Sequence, residues 1–578
     1  MSILERLAVL SPLLNCIDPS TIKEELFQLE TIQSGELIFR KGDEGSKAYV
    51  VIEGVIGLYD DVDASGKTPF LKLARGKLLG TYAMLCGEAR SATAMALTET
   101  TLASIESADF HRLMDASPEL CKRVLTSLAR EASRGRGPHQ NSRVRCVVIR
   151  EHLPSKTTPE TNALCKALSQ LNDVEIVDRR HAPWDADTQL LEITSYLGSE
   201  RSVAFLINEQ TRLSPSTLQL VDANILIVAG NNITAPAAMG EGETIDLIRI
   251  WPAEQDRPSP FPLDATQHSI RQVYNLREGR DTDAYRVARC LLGMANTLVL
   301  GGGGAKGFAH VGAIKAIEEM AITEIDSICG VSIGSFVGML YAFEMPWEAI
   351  SAYTQLIFVT GQPYVLSVSA HSLLRYSKSL AQLKVDFSRY SIHDTWIPFR
   401  PATADITNNR LKFWTQGRLL QCVIASMSIP GILPPVRMED GSIHVDGSVM
   451  DNLPIEEARR CTSGSVIAIS LDHGEGQREI PTLANTGNRL VQWLADLGWA
   501  NRSLPWITDT IMFSILGATR QKSDDAEHLA DILLKPDVVS IGLLEWSRFN
   551  VALEAGYQEA RHYQGAFEVI RQGAAKPA

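Results

Sequence analysis

The sequence predicts a multidomain chain: an N-terminal β-roll with helices, a middle α/β linker domain, and a C-terminal α/β domain of three layers on a mostly parallel sheet. Three observations carry that expectation. Short strand-like runs separated by Gly, Asp and Ser turns fill the first 137 residues. Strands then alternate with helical stretches at the spacing of βαβ units. From residue 296 a strand, four glycines, a helix, a second strand and a G-x-S-x-G corner follow in direct succession. A chain of 578 residues exceeds what one core organises, and the composition shifts place the domains at 1–137, 138–295 and 296–578. Within the last, the motifs concentrate at about 296–460, and 461–578 forms a C-terminal extension.

Composition removes several function classes. With 55 Lys and Arg against 68 Asp and Glu, the net charge is −13, which speaks against nucleic-acid binding and gives no general attraction to anionic lipid. The nine cysteines, from Cys16 to Cys461, are scattered and include no C-x-x-C pair, so neither a disulfide framework nor a metal site is expected. The first 16 residues lack a basic stretch followed by an apolar core, so no signal peptide is expected. No apolar run reaches the ~18–20 residues of a membrane span. These points predict a soluble, cytoplasmic protein.

In the N-terminal segment, strands are expected at 37–40, 48–52, 56–59, 70–73 and within 93–105, with a turn at 41–45 and helical spacing at 108–131. Gly80, Ala83 and Arg90, followed by Ser91, Ala92 and Thr93, resemble the phosphate-binding cassette of cyclic-nucleotide-binding domains. That resemblance implies a cyclic nucleotide ligand held by Gly80, Thr81, Arg90 and Ser91, with the Arg90 fork on the cyclic phosphate. Two positions depart from the pattern. Thr81 stands where the family has a Glu that accepts the ribose 2′-hydroxyl, and Ala89 replaces the Pro before the Arg. Losing a charged acceptor for that hydroxyl costs about 1.5–3 kcal/mol. Two readings therefore stand: a weakened or altered nucleotide site, or a structural relic in which Arg90 serves a salt bridge.

Arg134, Gly135, Arg136, Gly137 and Pro138 stop the helix and mark a boundary. Strands are expected beyond it at 144–149, 174–177, 203–207, 225–228 and 245–250, with helices at 160–171 and 190–196. No phosphate loop or dinucleotide fingerprint follows the first strand, so no chemistry is assigned here. His268, Arg271, Arg277 and Arg280 read first as a solvated, salt-bridged surface and second as ligand-facing. A helix at 283–294 feeds the next strand. Its Arg286-Val287-Ala288-Arg289 and Leu291-Leu292-Gly293, placed ahead of the glycine run, resemble proteins of the neuropathy-target-esterase type. Those join cyclic-nucleotide domains, a linking segment and a patatin-like domain in this order.

The glycine run admits two physical readings. Strand, glycines and helix can cradle a dinucleotide pyrophosphate, or hold a developing oxyanion in acyl transfer. A strand is expected at 297–300, a helix at 308–320 and a second strand at 325–329, ending in Gly330-Val331-Ser332-Ile333-Gly334. This is the pattern of a nucleophile elbow, where small neighbours let the backbone bend and expose the serine oxygen. It favours the oxyanion reading over the nucleotide one. A third element comes later: a strand at 442–445, then Asp446-Gly447-Ser448 and Asp451-Asn452-Leu453-Pro454.

Taken together, the glycine run, the elbow and the later Asp-Gly resemble the patatin-like phospholipase family over about 296–460. Ala404-Asp405-Ile406-Thr407 and Ser426-Met427-Ser428-Ile429-Pro430-Gly431 add to the likeness. The resemblance implies a serine acyl hydrolase with a Ser–Asp dyad, no catalytic His and no cofactor, acting on phospholipid or lysophospholipid. Carried over by motif position, Ser332 is the nucleophile and Asp446 its general base. Gly302, Gly303, Gly304, Lys306 and Gly307 form the oxyanion hole, and Gly330 and Gly334 flank the elbow. The Ile333 N–H is a further donor toward the oxyanion. Lys306 replaces an Arg frequent in relatives, keeping charge but not the planar fork.

His310 and His444 read as structural. His444 shares a face with Asp446 only where the strand runs that far, and the Asp-Gly turn is expected to end it first. Leu490, Trp493, Leu494 and Leu497, with Trp499 and Trp506, form an amphipathic helix and turn, read first as core and second as a peripheral membrane contact. Two other functions compete with hydrolysis: a cyclic-nucleotide-responsive scaffold with a weak or inactive hydrolase domain, and a nucleotide-binding protein using the glycine run.

Overall fold

The structure is a computed structural model and describes residues 26–61, 69–124, 146–153, 159–199, 201–232, 239, 243–261, 269–322, 325–361, 364–366, 374–376, 380–472, 517 and 521–574. Two units divide the chain. Residues 1–156, 168–226 and 235–245 make the first, and 157–167, 227–234 and 246–578 the second.

The first unit opens with the expected roll. Its strands are β1 (Gln28–Ile32), β2 (Leu37–Phe39), β3 (Lys47–Glu53), β4 (Val55–Tyr59), β5 (Leu71–Ala74), β6 (Leu78–Leu79), β7 (Thr93–Ala96) and β8 (Thr100–Glu106). They pair into two sheets, ordered β1-β8-β3-β6 and β2-β7-β4-β5. Alternation along β3 sorts its side chains between two clusters. Val50 and Ile52 join Phe110 and Leu113 of helix α2 (Ser107–Ala116), whereas Tyr49 and Val51 join Ile56 and Ala94. A short helix α1 (Thr81–Cys86) follows β6.

Parallel strands come next: β9 (Cys146–His152), then, after helix α3 (Pro159–Asn172), β10 (Glu175–Asp178), and, after α4 (Ala186–Gly198), β11 (Val203–Ile207). β11 lies between β10 and β9 in register. The Asp185 side chain caps α4 by accepting from the Thr188 N–H, and Ser214 with Pro215 starts α5 (Pro215–Leu220) in the same way. Trp184, Phe205 and Leu213 share one cluster with Val55, Tyr59 and Leu97 of the roll, and Lys72 reaches Asp222 at 2.7 Å. The roll and these strands therefore share a core. Strands β12 (Ala223–Ala229), β13 (Thr244–Trp251) and β14 (Ser269–Arg277) follow, then helix α6 (Asp281–Leu291).

β14 was not expected, and the reading of Arg277 as solvated surface is corrected, whereas Arg271 and Arg280 are exposed and salt-bridged as expected. Arg277 is buried, paired with Asp283 at 2.8 Å and Glu344 at 2.7 Å. Arg271 pairs with Asp246 and Arg280 with Glu344, both half exposed. A strand carrying Arg, Gln and Asn is built because acidic partners neutralise the buried charge. His268 lies outside the described residues.

The second unit is organised by β15 (Thr297–Leu300), helix α7 (Phe308–Glu319), β16 (Ser327–Val331) and helix α8 (Ile333–Ala342). Every residue of β15 and β16 is buried, as befits central parallel strands covered on both faces. Helix α8 is apolar all round and wholly buried. Around them stand α9 (Trp347–Thr354), the hairpin β17 (Tyr364–Leu366) and β18 (Leu374–Tyr376), α10 (Leu380–Phe387), β19 (Phe399–Asp405), β20 (Arg410–Phe413), α11 (Leu419–Ser426), β21 (Val436–Arg437) and β22 (Ile443–Asp446). Then come α12 (Ile455–Cys461), β23 (Val466–Ile469), β24 (Ile532–Leu534), α13 (Phe549–His562) and α14 (Gln564–Ala574).

The main sheet runs β21-β22-β19-β16-β15-β23-β24, with β20 also on β19. The five strands from β19 to β24 are parallel, whereas β20, β21 and β22 form an antiparallel edge. Buried Arg289 of α6 grips Asp326 with two bonds of 2.8 and 2.7 Å, and Asp326 also accepts the Asn296 N–H at 2.9 Å. This clamp fixes the entry to β15 and β16 together. On the sheet's face, α7 and α13 cross at glycine contacts: a Cβ on Gly312 would strike the Leu553 carbonyl, and one on Gly556 the Ala309 carbonyl. Among the described residues, no helix is long and apolar enough to cross a membrane, and no cluster of His, Cys, Asp and Glu suits a metal ion.

Candidate active site

Sheet register brings the predicted dyad together. Val331, the last residue of β16, lies beside Ala402 of β19, and the next residue of β19, Thr403, lies beside Asp446 of β22. Ser332 leaves the sheet in the same row. Its backbone adopts φ 54° and ψ −124°, a left-handed corner rare for a side chain and the mark of a strained elbow. Gly334 permits the turn, since a Cβ there would collide with the Leu300 carbonyl.

The Ser332 hydroxyl donates to Asp446 Oδ2 at 2.6 Å, and Oδ1 of the same carboxylate accepts the Ser448 N–H at 2.9 Å. Asp446 is fully buried, and burial pushes its pKa up to about 6 against the pull of those two bonds. Two serines not singled out as site residues brace the corner. Ser426 Oγ accepts the Ser332 N–H at 3.0 Å and donates to the Ala402 carbonyl at 2.6 Å. Ser335 Oγ lies 2.7 Å from Ser426 Oγ and 2.7 Å from the Gly330 carbonyl.

The glycine run lies along the serine. Gly301 N–H bonds Ile469 O, Gly302 N–H bonds Asn452 O at 3.2 Å, Ala305 N–H bonds Leu543 O at 2.8 Å and Lys306 N–H bonds Gly303 O. Gly304 sits at φ 57°, and a Cβ there would run into the Leu543 carbonyl. Among the described residues, the N–H groups of Gly303, Gly304 and Ile333 have no hydrogen-bond acceptor. The donors left over from the predicted loop are thus Gly303 and Gly304, with Gly302 and Lys306 already engaged. Gly307 packs directly on Ile333, tying the loop to the elbow.

Neither histidine bonds Ser332 or Asp446. His444 does share β22 with Asp446, because the strand runs through 446 rather than ending at 445. Both its ring nitrogens are taken, by Thr403 Oγ1 and by Ser442 Oγ, each at 2.8 Å. His310 is buried in α7 with Nε2 2.8 Å from the Gly301 carbonyl.

In the first unit, the cassette residues meet in part. Gly80, at φ 80°, caps α1, which begins at Thr81, and Ser91 is exposed. Buried Arg90 donates to the Gly80 carbonyl at 2.9 Å and the Lys47 carbonyl at 2.6 Å, and its guanidinium lies 4.3 Å from the centre of the Phe39 ring. The salt bridge considered for Arg90 is replaced by main-chain carbonyls. Trp493, Trp499 and Trp506 lie outside the described residues.

Residues 298–459 match the family model described as patatin-like phospholipase. The chain carries a patatin-like phospholipase domain. Residues 29–117 match the model of the cyclic nucleotide-binding domain, so the patatin-like domain follows a cyclic-nucleotide-type roll, as expected. Likeness to curated proteins extends along most of the chain. Patatin-like phospholipase domain-containing protein 7 of Rattus norvegicus is 26% identical, over 94% of this chain and 45% of its own length. Lysophospholipase nte1 of Neurospora crassa is 24% identical, over 96% and 43%. Neuropathy target esterase sws of Drosophila melanogaster is 25% identical, over 80% and 37%. The chain therefore spans less than half the length of these curated relatives.

Proposed function

We propose that the chain is a serine lipid acyl hydrolase that cleaves carboxylester bonds of phospholipids or lysophospholipids through Ser332 and Asp446. The observation that carries this reading is the 2.6 Å bond from the Ser332 hydroxyl to a buried carboxylate, at a strained elbow beside unspent main-chain donors. A serine hydroxyl attacks only when a base takes its proton. Asp446 at its ordinary acidity would be a weak base, and burial brings it nearer to the operating pH.

Ser332 Oγ attacks the ester carbonyl as its proton passes to Asp446. The oxyanion is received by the N–H groups of Gly303, Gly304 and Ile333, a type of donor worth about 10²–10³ in rate each. Collapse expels the alcohol, which takes the proton from Asp446 and leaves an acyl-Ser332. Water then repeats the sequence and releases the fatty acid. A lysophospholipase among the relatives supports the lipid substrate. In this reading 296–578 is the hydrolase domain, 138–295 the linker domain and 1–137 the roll. The described cysteines are free thiols, which fits a reducing compartment. We place the activity in the cytoplasm, at the surface of the membranes that hold the substrate.

A fluorophosphonate probe tests it. Labelling of the parent chain is expected, with release of fatty acid from a phospholipid mixture, and Ser332→Ala abolishes both. Labelling or hydrolysis that survives in Ser332→Ala overturns the assignment.

A further inference from the structure

Two side chains outside the dyad hold the glycine loop, and we propose that Asn452, seconded by His310, is the positioning residue of the oxyanion hole. Its amide fixes the Gly302 carbonyl so that the Gly303 N–H, in the same peptide unit, points at the developing oxyanion. This rests on the acyl-hydrolase reading above.

The geometry is a chain of peptide units. His310 Nε2 donates to the Gly301 carbonyl at 2.8 Å. A trans peptide sets its C=O and N–H on opposite sides, so the Gly302 N–H is turned toward Asn452, whose carbonyl accepts it at 3.2 Å. Asn452 Nδ2 in turn donates to the Gly302 carbonyl at 3.3 Å. The Gly303 N–H is thereby turned away from Asn452, and among the described residues it meets no acceptor. Donation to a peptide oxygen also polarises the N–H of that unit, which strengthens its own bond.

Stability alone does not explain these two residues. Asn452 is 7% exposed, and its Oδ1 is buried without a partner. Reversing the amide would set Oδ1 against the Gly302 carbonyl, lone pair to lone pair, so the loop dictates the orientation. Oδ1 lies 2.5 Å from where a Cβ on residue 302 would stand, which leaves room for glycine alone. His310 repeats the pattern: Nε2 is spent on the loop and Nδ1 is buried without a partner. Burial lowers its pKa to about 4, so it remains a neutral Nε2–H donor over the working range. A buried polar atom left unpaired costs about 1–3 kcal/mol, and an apolar side chain of the same size would avoid it.

The test compares kcat and KM of Asn452→Leu and Asn452→Asp with the parent chain, using a short-chain phenyl ester and its thionoester. Sulfur accepts hydrogen bonds poorly, so the ester-to-thionoester rate ratio reports on the hole itself. For Asn452→Leu, kcat is expected to fall about 10²–10³-fold, with KM nearly unchanged and the rate ratio collapsing. Asn452→Asp should retain activity while its carboxyl holds a proton to donate and lose it as that proton leaves, a fall with rising pH absent from the parent. An unchanged kcat in Asn452→Leu, a lost kcat with the rate ratio intact, or failure of both variants to fold overturns the proposal. A parent chain that neither hydrolyses ester nor takes the fluorophosphonate overturns the hydrolase reading instead.

Discussion

At Gly80 in the roll and at Gly304 in the patatin-like domain, the chain uses one local construction: a strand, a glycine at positive φ and a helical turn behind it. Such a corner presents N–H groups and the positive end of a helix to an anion. The two corners spend that potential differently. In the roll, the cation at the corner is taken up by the chain itself, with Arg90 on two main-chain carbonyls and over Phe39. In the patatin-like domain, neighbouring side chains occupy the loop's carbonyls, and the N–H groups of Gly303 and Gly304 stay open among the described residues. A glycine corner is thus a capacity, and the partners around it determine whether it faces outward to a ligand or inward to the fold.

The sharpest test of this contrast is Asp446→Asn. Loss of the base should lower kcat by about 10³-fold or more, while in the parent kcat/KM rises with pH through about 6. The same change should stabilise the protein. Asp446 holds its proton more tightly folded than unfolded, so between about pH 4 and 6 the native state binds the extra proton and stability falls as pH rises. Above that window the ionised carboxyl costs on the order of 3 kcal/mol, which Asn removes. Melting curves should show Asp446→Asn above the parent at pH 8, with the gap closing toward pH 4. A lower melting point at pH 8 would mean that the buried carboxylate is not strained.

Arg90→Ala addresses the other corner. Loss of two charge-assisted bonds and the ring contact should cost the roll about 2–4 kcal/mol, read from urea unfolding. Calorimetric titration of the parent with cyclic AMP or cyclic GMP should show no saturable heat at millimolar ligand. Saturable binding would erase the difference between the corners. The smallest effect is expected for His444→Gln, a change outside both: about 1 kcal/mol of stability, with kcat kept within a few fold. A collapse of kcat there would bring His444 into the reaction.

The local elements were readable from sequence where burial is uniform. The strand at 297–300 was expected residue for residue, because a central parallel strand is one unbroken apolar run. Ser332 and Asp446 were legible as motifs, and the family resemblance supplied their pairing. β14 was hidden because Arg, Gln and Asn sit on it, and the arginines' partners Asp283, Glu344 and Asp246 come from other elements. The bracing contacts were out of reach for the same reason. Ser426 is 94 residues from Ser332, and Asn452 is 150 from Gly302. Only the folded chain joins them, and no local spacing encodes these contacts.

The glycine contacts between α7 and α13 bear on the order of synthesis. Ser332 and Asp446 are both made well before Phe549–His562, the helix that presses on the back of the loop-bearing helix. On the acyl-hydrolase reading, a nascent chain carries Ser332 and Asp446 before the loop's support is synthesised, so hydrolysis is expected to begin only once the C-terminal helix has docked.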